Sequence, residues 1–378
     1  MSEKNLIEHG VYSKNDLSDL TKLGRIQALK NFKDSHISVA SIDITVEDEI
    51  YEVEGFFKPL VNKKESIRDI LKLIDKKKLN LGDVMYPGKI YVAKASIDLD
   101  FPPGLFMYIN PKSTSGRNFL LVRTIADEIG IFDGVDAREM GYTGELWLVF
   151  EPLVYPIILT QEEAYTQMRV SNQDTRMNNE SLKQFLISNN IIFDRQDNIP
   201  YKQGEIFRFI NQASILNTLY APANKFVGYL VKENITVPVD LTKRDLNPDL
   251  YFEKIFAKEF EKNNPIGYIE LKQNRKYLLS TNELLKIPNH ICGELKNIDP
   301  KLGLFFSHFA GFFDPGFFGT GTLEVTPMHN LILRHQEPIA RLELEYLRNE
   351  TVSYAEVQNN YAGQIETKLP KQFKKFEN

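Results

Sequence analysis

Cysteine is almost missing from the 378-residue sequence: Cys292 stands alone, which excludes a disulfide framework and any zinc site built from thiolates. Long hydrophobic runs are missing too. The two most apolar stretches, residues 146–159 and 302–318, are interrupted by Glu151, Pro152, Pro156, Asp314 and Pro315, so neither can cross a bilayer. The first ten residues alternate charges around no apolar centre, and no export signal is expected there. Charge of one sign is not in excess either. The formal net charge of −5 gives no general attraction to nucleic acid. The expectation is a soluble, cytoplasmic protein with neither a membrane nor a nucleic acid as partner.

Familiar phosphate loops and metal motifs are also absent: there is no H-E-x-x-H, no G-x-x-x-x-G-K and no G-x-G-x-x-G. His335-Gln336-Glu337 has the H-x-E spelling used by zinc nucleobase deaminases, but the required downstream P-C-x-x-C is missing, so no zinc is expected.

What the sequence does have is strand. Short β-branched and aromatic runs punctuated by Gly, Pro, Asn and Asp predict strands over residues 37–45, 89–95, 105–109, 120–125 and 145–150. Helices are fewer. Ile67, Ile70, Leu71 and Ile74 share one helix face, which predicts a helix over 65–77, with weaker candidates over 181–187 and 249–262. The polar stretch 166–179 lacks strand alternation and is expected to connect two halves. Those halves look alike. In the first, Lys89-Ile90-Tyr91 leads to a Pro103-Gly104 turn, an apolar strand, Lys112, Gly116-Arg117 and a Gly141-Tyr142-Thr143-Gly144 hairpin. In the second, Arg275-Lys276-Tyr277 leads to Pro288-Asn289, an apolar strand, Lys296, Leu302-Gly303 and Gly316-Phe317-Phe318-Gly319. The repeated order points to an internal duplication of one β-domain. The expected domains are 1–165, a connector over 166–180, 181–352, and a tail over 353–378.

Three motifs carry chemistry. Pro111-Lys112-Ser113-Thr114-Ser115-Gly116-Arg117 places three hydroxyls, a glycine and two cations after a strand, which suits a turn that wraps phosphate oxygens. As bare composition it reads first as a solvated Ser/Thr/Gly turn. The string resembles the phosphate-binding P-[KR]-S-[ST]-x-[GA]-R of the dUTPase and dCTP deaminase superfamily. The run from Phe306 to Val325 resembles the dCTP deaminase consensus, H-x-T-A-G-[FW]-I-D-P-G-[FW]-x-G-x-[IL]-T-L-E, whose closing glutamate falls on Glu324. A glutamate set in an apolar strand, Thr322-Leu323-Glu324-Val325, has the surroundings that a proton shuttle uses. Asn360-Tyr361-Ala362-Gly363-Gln364, followed by basic residues 368–375, resembles the [KN]-Y-x-x-Q tail of the same family.

The resemblance best fits the long, two-domain dCTP deaminases. It implies a mostly β fold of two tandem dUTPase-like distorted jelly rolls with a few short helices, assembling as a homo-oligomer with a trimeric arrangement of domains. It implies conversion of dCTP to dUTP and ammonia without zinc, with Mg²⁺ carried on the triphosphate. By the same resemblance Glu324 is the general base. Lys112, Ser113, Thr114, Arg117, Tyr361 and Gln364 hold the triphosphate, and Ala310, Gly311, Phe312 and Asp314 hold base and sugar. The halves depart from each other in complementary ways. Val149 stands eight residues after Gly141, where Glu324 follows Gly316, and the phosphate turn is replaced in the second half by Lys296-Asn297-Ile298-Asp299-Pro300-Lys301. Neither half alone carries the complete set. Two other readings stay open on the residues. Gly134-Val135-Asp136 with the Gly141 hairpin resembles the uracil hairpin of a dUTPase, which would make the chain a dUTPase or a bifunctional enzyme. A non-catalytic nucleotide-binding assembly protein is the other.

Overall fold

The structure is a computed structural model that describes residues 9–60, 63–202, 205, 210–303, 305–307, 310–357, 361 and 363–376. Among these, two units separate. One takes residues up to 175 together with 234–244 and 347–351; the other takes 176–233, 245–346 and the chain from 352 onward.

In the first unit, six strands form a main sheet in the order β4 (Lys76–Leu79), β3 (Val46–Val53), β6 (Ile90–Phe101), β10 (Tyr142–Pro152) and β8 (Leu120–Ala126), with β1 (Ile26–Ala28) also against β6. A second sheet runs β2 (Ile42–Ile44), β12 (Thr166–Ser171), β7 (Leu105–Pro111) and β9 (Gly134–Ala137). A third joins β17 (Val239–Asp240), β11 (Ile157–Ile158) and β5 (Val84–Met85).

The second unit repeats this plan. Its main sheet runs β18 (Phe252–Phe256), β16 (Phe226–Val231), β21 (Tyr277–Lys286), β25 (Phe318–Pro327) and β23 (Phe305–Ser307), with β13 (Ile192–Asp194) also against β21. Then come β14 (Ile210–Asn211), β15 (Ser214–Thr218), β27 (Pro338–Tyr346), β22 (Ile291–Lys296) and β24 (Phe312–Phe313). The third sheet is β19 (Lys258–Glu259), β20 (Gly267–Leu271) and β26 (Leu331–Arg334). Strand for strand, the main sheets share one order, so the motif order read from sequence is repeated in topology. The hairpin glycines agree as well. Gly141 and Gly316 sit at φ +73° and +76°, in the left-handed region that glycine enters without a Cβ clash, just before β10 and β25.

Several local expectations change. Residues 166–171 are not connector but the fully buried strand β12, paired with both β2 and β7. Its polar side chains hid it: Arg169 is accommodated inside by donating to Asn110 Oδ1 at 2.8 Å and lying 3.9 Å from the Tyr108 ring centroid. Residues 249–262 are not a helix. After a 3-10 turn over Pro248–Leu250, Phe252–Phe256 pairs with β16 and Lys258–Glu259 with β20, as suits an aromatic and β-branched run. The helix expected over 65–77 is shorter, Ile67–Leu73; we call it α2, after α1 (Lys14–Lys22). Ser66 caps it by accepting from the Asp69 amide, and it stops because Lys76–Leu79 is drawn into the sheet beside β3.

Candidate functional site

Along β25 the side chains alternate. Leu323 and Val325 join Tyr277 and Leu279 in the core of the second unit. Strand periodicity then puts Thr320, Thr322 and Glu324 together on the opposite face. Glu324 is only 1% exposed, held out of bulk water at a fixed place. Register extends the row across the sheet: Glu324 lies opposite Leu278, Leu278 opposite Tyr229, and Tyr229 opposite Lys254. One position along, Thr322 lies opposite Ser280.

The tail lies on the same strand. β23 pairs with β25 only at residues 325–327, which leaves the other edge open near Gly319. Gln364 fills it: its carbonyl accepts from Thr320 N at 2.9 Å, and its side-chain amide donates to the Thr320 carbonyl and to Thr322 Oγ1 at 3.4 Å. Tyr361 is buried, and its hydroxyl accepts from the Lys371 amide at 3.2 Å. Asn360 and Ala362 of the motif lie outside the described residues, as do His308 and Phe309 of the preceding one.

Ala310, Gly311 and Phe312 are buried beside β22, where the Gly311 carbonyl accepts from Leu295 N at 2.8 Å. Phe313 turns into the core, its ring 4.6 Å from Phe317. The Asp314 carbonyl accepts from Phe317 N, closing the turn that delivers Gly316 to β25.

The phosphate turn belongs to the first unit. Ser113–Arg117 forms the single-turn helix α3 between β7 and β8. Lys112 Nζ reaches both oxygens of Asp43 at 2.7 Å, so its charge is already compensated. Ser115 Oγ donates to the Tyr165 carbonyl at 2.8 Å, and Asn118 ties the Thr114 carbonyl to the Tyr155 hydroxyl. Ser115 is thus committed to holding the turn's shape. Thr114 and Arg117 are buried, and Ser113 is half-exposed. In the second unit the corresponding loop does structural work instead. Lys296 pairs with Glu294 at 2.5 Å, Arg341 Nε donates to the Asn297 carbonyl at 2.9 Å, and Ile298 enters the core. The sequence-predicted residues therefore fall into two groups. Lys112, Ser113, Thr114 and Arg117 lie in the first unit; Ala310, Gly311, Phe312, Asp314, Glu324, Tyr361 and Gln364 lie in the second.

Val149 occupies the register position of Glu324, opposite Val92 as Glu324 is opposite Leu278. There the first unit is closed by an apolar plug: Ile67 and Leu71 of α2 pack with Val92, Trp147 and Val149. A carboxylate at that position would be buried without a partner, which is the physical reason for valine.

Sequence reading missed a buried network beside the candidate site. Arg195 donates to Ser280 Oγ at 2.9 Å and to the Thr281 carbonyl at 3.1 Å, with its guanidinium 3.6 Å from the Tyr220 ring centroid; burial lowers its pKa to about 10. Ser280 is the cross-strand neighbour of Thr322, so Arg195 sets a cation on the Glu324 face. Glu283, fully buried, accepts from Thr218 N at 2.8 Å and Thr218 Oγ1 at 2.5 Å, and burial pushes its carboxyl up to about 7. Neither carries a local sequence signal, because Arg195 stands in the polar run 194–198 and Glu283 ends the polar run 280–283.

Among the described residues no group of three or more His, Cys, Asp or Glu side chains could hold a metal ion, and no helix is long and apolar enough to cross a membrane. Comparison with known proteins gives two family matches. The N-terminal domain of 2′-deoxycytidine 5′-triphosphate deaminase matches residues 8–174, and its C-terminal domain matches residues 181–373. A crystal structure of 2′-deoxycytidine 5′-triphosphate deaminase from Agrobacterium tumefaciens is similar at 24% identity and a TM-score of 0.77, covering 90% of this chain and 99% of that one. The dUTPase of Staphylococcus bacteriophage 80alpha is similar over 26% of this chain and 87% of that one, at 12% identity and a TM-score of 0.19. A mutant dUTPase from phage phi11 of S. aureus, described with a structural Mg(II) ion, covers 26% of this chain and 88% of that one at 11% identity and a TM-score of 0.19. No curated protein matches the chain.

Proposed function

A chain that belongs to the 2′-deoxycytidine 5′-triphosphate deaminase family converts dCTP and water to dUTP and ammonia, and we propose that Glu324 is the group that moves the protons of that reaction here. The observation that carries this reading is the enclosed position of Glu324 on β25, with Thr320 and Thr322 on the same face and Gln364 bonded to both. Glu324 takes a proton from water as the oxygen attacks C4 of the cytosine and passes it to N3. It then takes the second proton from the new C4 hydroxyl and gives it to the departing amine, so the carboxylate is restored as ammonia leaves.

In this reading Ser113, Thr114 and Arg117, with Lys112 held by Asp43, bind the triphosphate, and Tyr361 and Gln364 bring the tail to it. Ala310, Gly311, Phe312 and Asp314 hold the base and sugar. Turnover needs both groups of residues. Mg²⁺ enters on the phosphate oxygens, as suits an ion that keeps its waters and is often held through substrate phosphates. With one cysteine in the chain, zinc has no thiolate set to occupy. The working protein is taken to be a cytoplasmic homo-oligomer with its domains in a trimeric arrangement.

The test is product analysis by chromatography after incubation with dCTP and Mg²⁺. Equal amounts of dUTP and ammonia are expected, at a rate unchanged by a zinc-selective chelator. Accumulation of dUMP would identify a bifunctional enzyme instead, and an unaltered dCTP peak would leave only nucleotide binding.

A further inference from the structure

The proposed reaction leaves one buried cation on the Glu324 face without a task. Arg195 is 8% exposed, and both of its hydrogen bonds, to Ser280 Oγ and the Thr281 carbonyl, run from Nη1 to uncharged oxygens. Nε and Nη2 donate to no described residue. The Tyr220 ring covers one face of the guanidinium, so any further bond is made in its plane. No described carboxylate forms an ion pair with it. Glu283 is turned to Thr218, and Glu366 of the tail acts on Arg195 only from a distance. A buried charge without a paired partner is costly, and a position that served packing alone would carry a neutral side chain.

The first unit is the control. β1 and β13 hold equivalent places against β6 and β21: Ala28 lies opposite Ile97, and Asp194 lies opposite Glu283. The residue that follows is Leu29 in the first unit and Arg195 in the second, and Ile97 stands where Glu283 does. Both ionisable residues thus occur in the unit that carries Glu324, and apolar ones replace them in the unit that carries Val149. The scaffold forms without a cation at this place. The cation goes with the site.

Its neighbours indicate what it meets there. Ser280, held by Nη1, lies opposite Thr322, and Thr322 Oγ1 accepts from the Gln364 side-chain amide at 3.4 Å. Opposed residues on adjacent strands are about 5 Å apart, so Arg195 stands beside the tail residue that the proposed function gives to the triphosphate. The triphosphate is the anionic part of dCTP, and a guanidinium fork matches phosphate oxygens in pairs. Resting on that reading of the site, we propose that Arg195 is a further substrate-binding residue, which donates from Nε and Nη2 to the triphosphate. Ser280 and Tyr220 hold the fork in place for it.

The experiment uses the full chain carrying Glu324→Gln, so that dCTP is not consumed, with Mg²⁺ present. Equilibrium dialysis with labelled dCTP reads the affinity of dCTP, and of deoxycytidine and inorganic tripolyphosphate as competitors. Adding Arg195→Leu, which copies Leu29 and so suits the fold, should weaken dCTP and tripolyphosphate at least ~tenfold and leave deoxycytidine within about threefold. Arg195→Lys should fall between, since it restores the charge but not the fork. A purely structural role would weaken all three ligands together, and that result overturns the proposal. So does an Arg195→Leu chain that binds dCTP as tightly as its parent. A parent that binds no dCTP overturns the reading of the site itself, and the proposal with it.

Discussion

Glu283 gives a thermodynamic handle on the second unit. Its carboxyl would titrate near 4.5 in the unfolded chain, and burial in the fold pushes it up to about 7. Between those values the native protein keeps a proton that the unfolded chain has already lost. The stability that this group contributes is therefore whole below about pH 4.5, drains away as pH rises to about 7, and is flat above that. A displacement of this size, at about 1.4 kcal/mol per unit, amounts to roughly 3 kcal/mol. In a unit of this size 1 kcal/mol moves Tm by about 2–4 °C, so the change is about 6–12 °C. Glu283→Gln removes the titration. Its amide oxygen can still accept one of the two Thr218 bonds, while its nitrogen faces the other donor, a cost of about 1–3 kcal/mol that does not vary with pH. Scanning calorimetry of both proteins from about pH 4.5 to 8 should show the wild type losing Tm relative to the variant across the window and holding level above it. A Tm difference that stays constant over the whole range refutes the reasoning, because every other titrating group cancels between the two proteins.

Glu324→Gln keeps the shape of the side chain but cannot shuttle protons, so kcat, followed by ammonia release, should fall at least ~10²-fold with KM little changed; a near-normal kcat would remove Glu324 from the mechanism. Arg117→Ala should act the other way, raising KM for dCTP by about tenfold to a hundredfold, as expected from the ~1.5–3 kcal/mol of a charge-assisted bond, and an unaltered KM would separate the α3 turn from the triphosphate. Val149→Glu should add no activity and should lower urea stability by several kcal/mol, since the new charge would be buried among Ile67, Leu71 and Trp147. A variant as stable as its parent would contradict the apolar plug. Gly316→Ala should destabilise by at least ~1 kcal/mol in the same measurement, because its φ is +76° and a Cβ would lie 2.2 Å from Ser353 Oγ.

Much of the scaffold can be read from local pattern. The alternating run that begins at residue 89 becomes β6, the apolar run after Gly104 becomes β7, and the paired glycines 141 and 316 mark equivalent hairpins because each has a conformation that a side chain would resist. Local pattern fails where tertiary partners change the cost of a residue. Gln167 and Arg169 make β12 look like linker, yet the partners of Arg169, Asn110 and Tyr108, lie about sixty residues away in sequence. Phe252, Ile255 and Phe256 allow a helical spacing, and only the neighbouring strand β16 settles them as sheet. At the candidate site, the string around Glu324 is legible as a motif, but its row of neighbours across the sheet is a matter of register, which no single strand encodes. Lys112 shows the limit from the other side. Its place in the phosphate turn is plain in the sequence, while its compensation by Asp43 depends on a residue sixty-nine positions earlier.

The first unit is finished late. β11 meets β17 only after the chain has passed through residues 176–233, and Val11 gains its bridge to Leu347 more than three hundred residues after it was made. The Asp16 carboxylate waits similarly for Asn349, which donates to it at 3.1 Å. On a ribosome adding roughly 5–20 residues per second, the gap between Thr175 and Thr351 lasts roughly nine to thirty-five seconds. For the first roughly three to thirteen seconds of that interval, until Val239–Asp240 is made, the nascent first half shows an unpaired strand edge at Ile157–Ile158, the kind of template that invites pairing with other chains. Vectorial synthesis therefore cannot complete this protein one domain at a time. A fragment cut at residue 175 inherits the same open edge permanently, and production of the halves as separate polypeptides should yield aggregate where the intact chain yields soluble protein.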